Sequence, residues 1–295
     1  MNLPDLNVFV TAARLGSVTR AARALSTVQS NVTARIRVLE RELGVQLFDR
    51  NYRGITLTPK GEQLLPYAQQ ILTLAENART VVSGPGDIRG VLRIGSLQST
   101  ASARLPEVLK AYAQRYDRVD ISIETGISAD LIDKVLNNRL DGAFVSGAEE
   151  HPELDAVTSF VEELVMISPA PYRTVREYLK NSPMPKVLVF KVGCHYRQRL
   201  ERYLAGQGAG LLNQMEFGTI DGIIGCVAAG LGIALLPRSV VERSARRKEI
   251  HMHTLPGSDR YVETQFVTHR AQIRSVALER LIDVIQSDKA VRKRA

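Results

Sequence analysis

SVTRAARALSTVQSNVTARIRVLERELGVQLFDRNYRGITLT, residues 17–58, holds two short helical patterns separated by a tight break and followed by a basic, strand-like arm. Ser17 stands where an N-cap belongs, and the helix it opens runs to about Leu25. Alanines at 21, 22 and 24 let another helix cross it closely. The Ser26-Thr27 pair supplies a turn, after which Val28, Val32, Ile36 and Leu39 predict the buried stripe of a second helix ending near Gly44. With that stripe inward, Gln29, Ser30, Asn31, Thr33 and Arg35 are expected on the exposed front. Amides there suit adenine edges in a major groove and a guanidinium suits guanine; taken singly, each residue reads equally as ordinary helix-surface polarity. Arg37 and Arg41 lie farther along, placed for phosphate or for acids on the helix. In LFDRNYRGITLT, two extended pieces around Asn51-Tyr52-Arg53-Gly54 predict a hairpin that carries Arg50 and Arg53 to the sugar-phosphate backbone or a minor groove.

Upstream, Leu3, Leu6, Phe9, Val10 and Ala13 recur at helical spacing, and Gly16 ends that helix. Downstream, Thr58-Pro59 starts a long helix with an apolar side through Leu64, Leu65, Ala68, Ile71, Leu72 and Ala75, where the early Pro66 is tolerated or bends the rod. A helix of this length with an apolar side requires a partner, and pairing through it places two heads on one face of DNA. Ser83-Gly84-Pro85-Gly86-Asp87 marks the boundary of the next domain.

Charge supports a nucleic-acid role for this region. The chain carries a net +8, and between Arg14 and Lys60 nine basic residues face three acidic ones. The 295 residues allow about two domains. An apolar content of 44% with 24% charged residues fits a globular protein, and no 18-residue apolar run is present to span a bilayer. MNLPDLNVFV lacks the basic segment and cleavage site of an export signal, so a cytoplasmic protein without membrane association is expected.

From Gly90 onward, short buried strands alternate with helices. Strands are expected at 90–95, 119–125, 140–145, 187–190 and 233–236, and helices at 128–136 and 273–285. That alternation predicts parallel α/β layers with ligand groups at the carboxyl ends of the strands. Gln98, Ser99 and Thr100 fall at the first strand-to-helix corner and Ser128 at the second. They either hold a small anion or carboxylate or simply cap helices. A second lobe is expected from about Glu162, with two crossings that form a hinge; Cys194-His195-Tyr196-Arg197 and Gly218-Thr219-Ile220 are its segments placed to face the cleft. Arg197 either clamps a carboxylate or starts a surface helix. The expected division is 1–58 for the winged head, 59–87 for the linker and dimerisation helix, and 88–295 for the body, with lobe 1 at about 88–161 and 266–295 and lobe 2 at about 162–265.

Catalytic patterns are incomplete. Adjacent Cys194 and His195 form neither a spaced metal pair nor an arranged nucleophile and base. His251 and His253 share one side of a strand without completing a zinc set. Gly206-Gln207-Gly208-Ala209-Gly210 lacks the spacing of a dinucleotide loop. No enzyme, metal or cofactor is expected.

The chain resembles the LysR-type bacterial transcriptional regulators across nearly its full length, through Phe9, Ser17, Ala21-Ala22, Leu25, Gln29, Ile36, Leu39-Glu40, Leu43-Gly44, Leu47-Phe48, Arg50, Leu57-Thr58 and Gly61, and later through GLGIALLP at 230–237. The resemblance implies a winged helix-turn-helix domain dimerised through a linker helix. It also implies a two-lobed α/β effector-binding domain related in fold to periplasmic solute-binding proteins. DNA contacts are carried onto Gln29, Ser30, Thr33, Arg35 and Arg50, and effector contacts onto Ser99, Thr100, Ser128 and the surroundings of Thr219. Promoter DNA, a small-molecule effector, a homotetramer built from dimers and altered access of RNA polymerase follow as expectations. Val28 and Ser30 depart from the serine and proline often found there. Cys194 and Cys226 are 32 residues apart, unlike the closely spaced pair of oxidant-sensing relatives. A solute-binding protein, or an α/β enzyme with a basic helical extension, is the alternative reading.

Overall fold

The computed structural model describes residues 1–51, 54–83, 88–147, 151–182, 184–191, 194–208, 212–257 and 260–287. The head begins with α1 (Leu3–Leu15), α2 (Val18–Ala24) and α3 (Gln29–Leu43), and each boundary has a chemical cause. The Asp5 amide donates to Asn2 Oδ1 at the start of α1. Gly16, at φ +59, ends it in the left-handed region that only glycine enters cheaply. Ser17 Oγ accepts from the Arg20 amide and caps α2, the role its position predicts. Leu6, Phe9, Ala21, Ala22, Val32, Ile36 and Leu39 close one core with Phe48 and Ile55. Val28 departs from the expected stripe: it precedes α3 in extended conformation and is 64% exposed. The helical period that buries 32, 36 and 39 begins only at Gln29.

Strands β1 (Phe48–Asn51) and β2 (Gly54–Leu57) form the antiparallel hairpin expected from the sequence. It is seated on the α1–α2 turn, where the Ile55 amide donates to the Gly16 carbonyl at 3.2 Å. Thr58 Oγ1 accepts from the Gly61 amide, and α4 (Pro59–Ser83) follows, continuing through Pro66. Its Ala68 is buried in the head core.

The body opens with three parallel strands, β3 (Gly90–Ser96), β4 (Val119–Thr125) and β5 (Gly142–Val145). Between them lie α5 (Gln98–Ala103), α6 (Leu105–Ala113) and α7 (Ser128–Leu136). Then comes β6 (Leu154–Pro169), a 16-residue strand that sequence reading did not isolate. Beyond it lie α8 (Val175–Asn181), β7 (Lys186–Val189), α9 (His195–Gly206), β8 (Asn213–Glu216) and α10 (Ile220–Ala228). The chain continues through β9 (Ala234–Pro237), α11 (Arg238–Arg243), β10 (Ile250–Thr254), β11 (Tyr261–His269) and α12 (Val276–Ser287).

The main sheet runs β10-β6-β11-β5-β3-β4, with β9 also on β6. The early part of β6 pairs with β11 and its late part with β9 and β10. A parallel bridge from Val187 to Ile233 ties β7 and β8 to the second lobe. Strands β6 and β11 are therefore the two crossings. Their register shifts between Thr264 and Gln265. Beside that irregularity Glu162 is buried, accepting from Arg104 Nε of lobe 1 at 2.6 Å and from Ser239 Oγ of lobe 2 at 2.9 Å.

Candidate functional site

At the front of α3, Gln29, Ser30 and Asn31 are exposed and Thr33 is half-exposed. Among the described residues no side chain caps this N-terminus, so the Gln29 and Ser30 amides and the positive end of the helix dipole face outward with them, while the Asn31 amide donates to the Val28 carbonyl at 3.1 Å. Asn31 Nδ2 donates to Thr27 Oγ1 at 2.9 Å, which orients its amide. Arg35 differs: its Nη1 lies 2.8 Å from Oδ1 of the buried Asp5 on α1. That pair fixes α3 against α1. Glu40, which sequence reading treated only as part of a pattern, accepts the Leu47 and Phe48 amides at 2.9 and 3.4 Å and anchors the base of the hairpin. Arg53 lies outside the described residues, as does the side chain of Arg50.

In the body, the carboxyl ends of the three parallel strands meet the second lobe. A cavity of about 50 Å³ lies there, lined in part by Gln98, Ser99, Ser128, Ser146, Cys194 and Tyr196. Two hydrogen bonds cross the lobes at its wall. Gln98 Oε1 accepts from the Ile220 amide at 3.2 Å, and Ser99 Oγ meets Tyr196 Oη at 3.1 Å. Ser128 Oγ accepts from the Ser146 amide at 3.1 Å and thereby holds the second and third strand ends together. Thr219 Oγ1 accepts from the Gly222 amide and caps α10. Thr100 is buried on α5 behind Ser99, away from the lining. On the far side of Gln98, a second cavity of about 200 Å³ separates α5 from α10 and α11.

Arg197 does not line the cavity. Its Nε donates to Glu201 at 3.1 Å, Nη1 reaches Glu216 at 3.5 Å and Nη2 donates to Gln214, so the guanidinium is held between α9 and β8. The residue before it supplies the contact instead. Tyr196 is buried, and burial pushes its phenol pKa up, leaving a neutral hydroxyl to bridge the lobes. Burial likewise raises the Cys194 thiol, against the lowering pull of nearby amides and Arg197, so the thiolate is disfavoured. Among the described residues no cluster of three or more His, Cys, Asp or Glu could hold a metal. His253 Nε2 and Ser168 Oγ are 2.8 Å apart, and His251 Nε2 bonds the Ala170 carbonyl. Among those residues no helix is long and apolar enough to cross a membrane.

A basic head with an uncapped, polar helix front, joined to a hinged two-lobed body with its cleft at strand ends, defines a ligand-responsive DNA-binding protein. Residues 3–62 match the bacterial regulatory helix-turn-helix protein, lysR family, and residues 85–290 match the LysR substrate binding domain. The chain is 42% identical over 283 residues to the uncharacterized HTH-type transcriptional regulator YusT of Bacillus subtilis, covering 96% of this chain and 95% of that protein. It is 40% identical over 278 residues to the HTH-type transcriptional regulator GltR of the same organism, covering 94% of each. The full-length OxyR of Pseudomonas aeruginosa, solved as a cysteine-to-aspartate variant, has the same fold, with a TM-score of 0.76 at 22% identity over 100% of this chain and 98% of that one. The chain belongs to the LysR family of transcriptional regulators, with a DNA-binding head and an effector-binding body.

Proposed function

We propose that the front of α3 reads an operator through Gln29, Ser30, Asn31 and Thr33, while Arg50 and Arg53 of the hairpin engage the DNA backbone. Arg35 acts by positioning: its bond to Asp5 sets the angle at which α3 meets the groove. The units are 1–58, 59–87 and 88–295. Two copies join through α4, and dimers pair into tetramers on a partly palindromic promoter site. The protein acts in the cytoplasm as a regulator and not as a catalyst, and altered spacing of its heads changes access of RNA polymerase.

The effector of this reading is a small anion or carboxylate in the interlobe cleft. The carrying observation is the pair of interlobe bonds, Gln98 to the Ile220 amide and Ser99 to Tyr196. These are the neutral donors and acceptors that a carboxylate exchanges when it enters at a helix start. Thr100, Ser128 and Thr219 support that wall, whereas Arg197 acts from outside it. A cavity of about 50 Å³ is too small for most metabolites, so binding requires the lobes to part and re-close on the ligand. Quantitative binding to the DNA upstream of its own gene, against scrambled DNA, tests the regulator role. Preferential protection of one region is expected, with protection altered by an effector in the native chain and unaltered in the Ser99→Ala variant. An unchanged effector response in that variant would remove the cleft assignment.

A further inference from the structure

A larger cavity, about 660 Å³, lies outside the interlobe cleft, between the head with its linker helix and the flank of lobe 1. Its walls come from α1, β2 and α4 on one side and from β3, β4 and α7 on the other. Arg14, in the last turn of α1, and Arg93, on β3, both line it. One carboxylate serves the two guanidiniums. Asp141 takes the Arg93 amide at 2.7 Å and stands 3.5 Å from Arg93 Nη1, while Arg14 makes no hydrogen bond or ion pair among the described residues. Arg14 is exposed at the mouth of the cavity, where partial burial first and the nearby Arg93 charge second lower its pKa. Two buried polar atoms on these walls, Arg93 Nε and Gln69 Oε1, have no hydrogen-bond partner among the described residues. The other charged lining residues cancel: Lys134 and Arg139 against Glu62 and Glu124, with Lys134 and Glu124 paired to each other.

We propose that this head–body cavity is a second ligand site, taking a small carboxylic acid with an apolar body. The carboxylate completes the Arg14–Arg93 pair, whose single positive charge in excess of Asp141 is otherwise met only by solvent at the exposed Arg14 end of the cavity. Val10, Leu65 and Leu140 supply apolar wall, and the volume is in the range that encloses metabolite-sized ligands. Because α1 and α4 form one wall and lobe 1 the other, occupancy favours the arrangement in which head and body stand as they do here. That couples the site to DNA geometry through its difference in affinity between arrangements.

Calorimetric titration of the full-length chain with hexanoate tests the site. Binding is expected for the native chain, and a site for hexanoate is expected to persist in Ser128→Ala whatever that variant does to carboxylate binding in the interlobe cleft. Binding at this site is expected to weaken at least tenfold in Arg14→Gln and in Ala13→Phe, the latter filling the cavity from α1 without altering a charge; thermal unfolding of each variant verifies folding. Absence of binding in the native chain, or binding unaffected by both cavity variants, would overturn the proposal. Loss with Ser128→Ala instead would assign hexanoate to the interlobe cleft and overturn it equally.

Discussion

Ser99 Oγ and Tyr196 Oη meet across the lobes in a buried bond of 3.1 Å, and a neutral hydrogen bond of this kind contributes on the order of 1 kcal/mol. Tyr196→Phe keeps the ring in its packing and removes only the hydroxyl, leaving Ser99 unpaired. Differential scanning calorimetry should show the body unfolding about 2–4 °C lower; an unchanged midpoint would mean that the bridge contributes nothing to closure. Cys194 answers to the same burial. Its raised thiol pKa predicts slow alkylation by iodoacetamide in the folded chain at mildly alkaline pH, with the rate inflecting at higher pH than for the urea-unfolded chain. The sign for stability follows: the protonated thiol is favoured by folding, so its contribution is complete below the unfolded pKa and is lost as pH rises through the raised one. Equal inflections for folded and unfolded chains would contradict the desolvated environment. These environments explain what sequence could not convey. Arg35 and Arg197 have the right chemistry for guanine and for a carboxylate, yet Asp5 lies 30 positions from one, and Glu216 and Gln214 lie 19 and 17 from the other. Tyr196 lay within the segment expected at the cleft, but its neighbour's charge was the stronger signal in the sequence.

At the scale of elements, the junction of hairpin and linker helix depends on one missing side chain. A Cβ on Gly61 would stand 2.2 Å from the Leu47 carbonyl oxygen, and backbone cannot swing aside as a side chain can. Gly61→Ala should therefore shift α4 from the head and cost about 1–3 kcal/mol, the usual range for overpacking a tight contact. Urea unfolding of the full chain read at the head, together with operator affinity, checks this; native stability in the variant would show that α4 is free to slide. The long-range partner of Gly61 was invisible in sequence, although Thr58 as a cap was not, because capping is a three-residue interaction. The same contrast separates the body's strands. Segments 119–125 and 128–136 were legible to the residue, the first as an alternating apolar and polar strand and the second as an amphipathic stripe. The crossing strand β6 was not, since its 16 residues pass between two cores and alternate in one lobe before running fully buried in the other.

For the molecule as a whole, the decisive surface is the free side of α4. Tyr67, Leu74 and Val81 recur every seven residues and are 66%, 51% and 76% exposed, and Ala78 is exposed beside them; Ile71, at the edge of the stripe, is half-buried against the head core. The opposite side is already occupied: Ala68 is in the head core, and Gln69 and Asn77 hydrogen-bond to body carbonyls. A seven-residue apolar repeat on one exposed side of a 25-residue helix fits a second copy of the same helix better than a globular partner, because both strips share one period. Leu74→Glu places a charge at the middle of that seam and another opposite it on the second copy. Sedimentation should then show a smaller species than the native chain gives, a monomer where α4 holds the proposed dimer together. A lone head keeps its own phosphate contacts but loses its tethered neighbour, so operator affinity should fall by a factor of about 10²–10⁴, the gain that linking two binding modules provides. The slope of log K against log salt should drop to about half, since half as many phosphates are neutralised per complex. A variant that stays dimeric and keeps the native salt slope would place the dimer contact elsewhere and leave the α4 stripe without a partner.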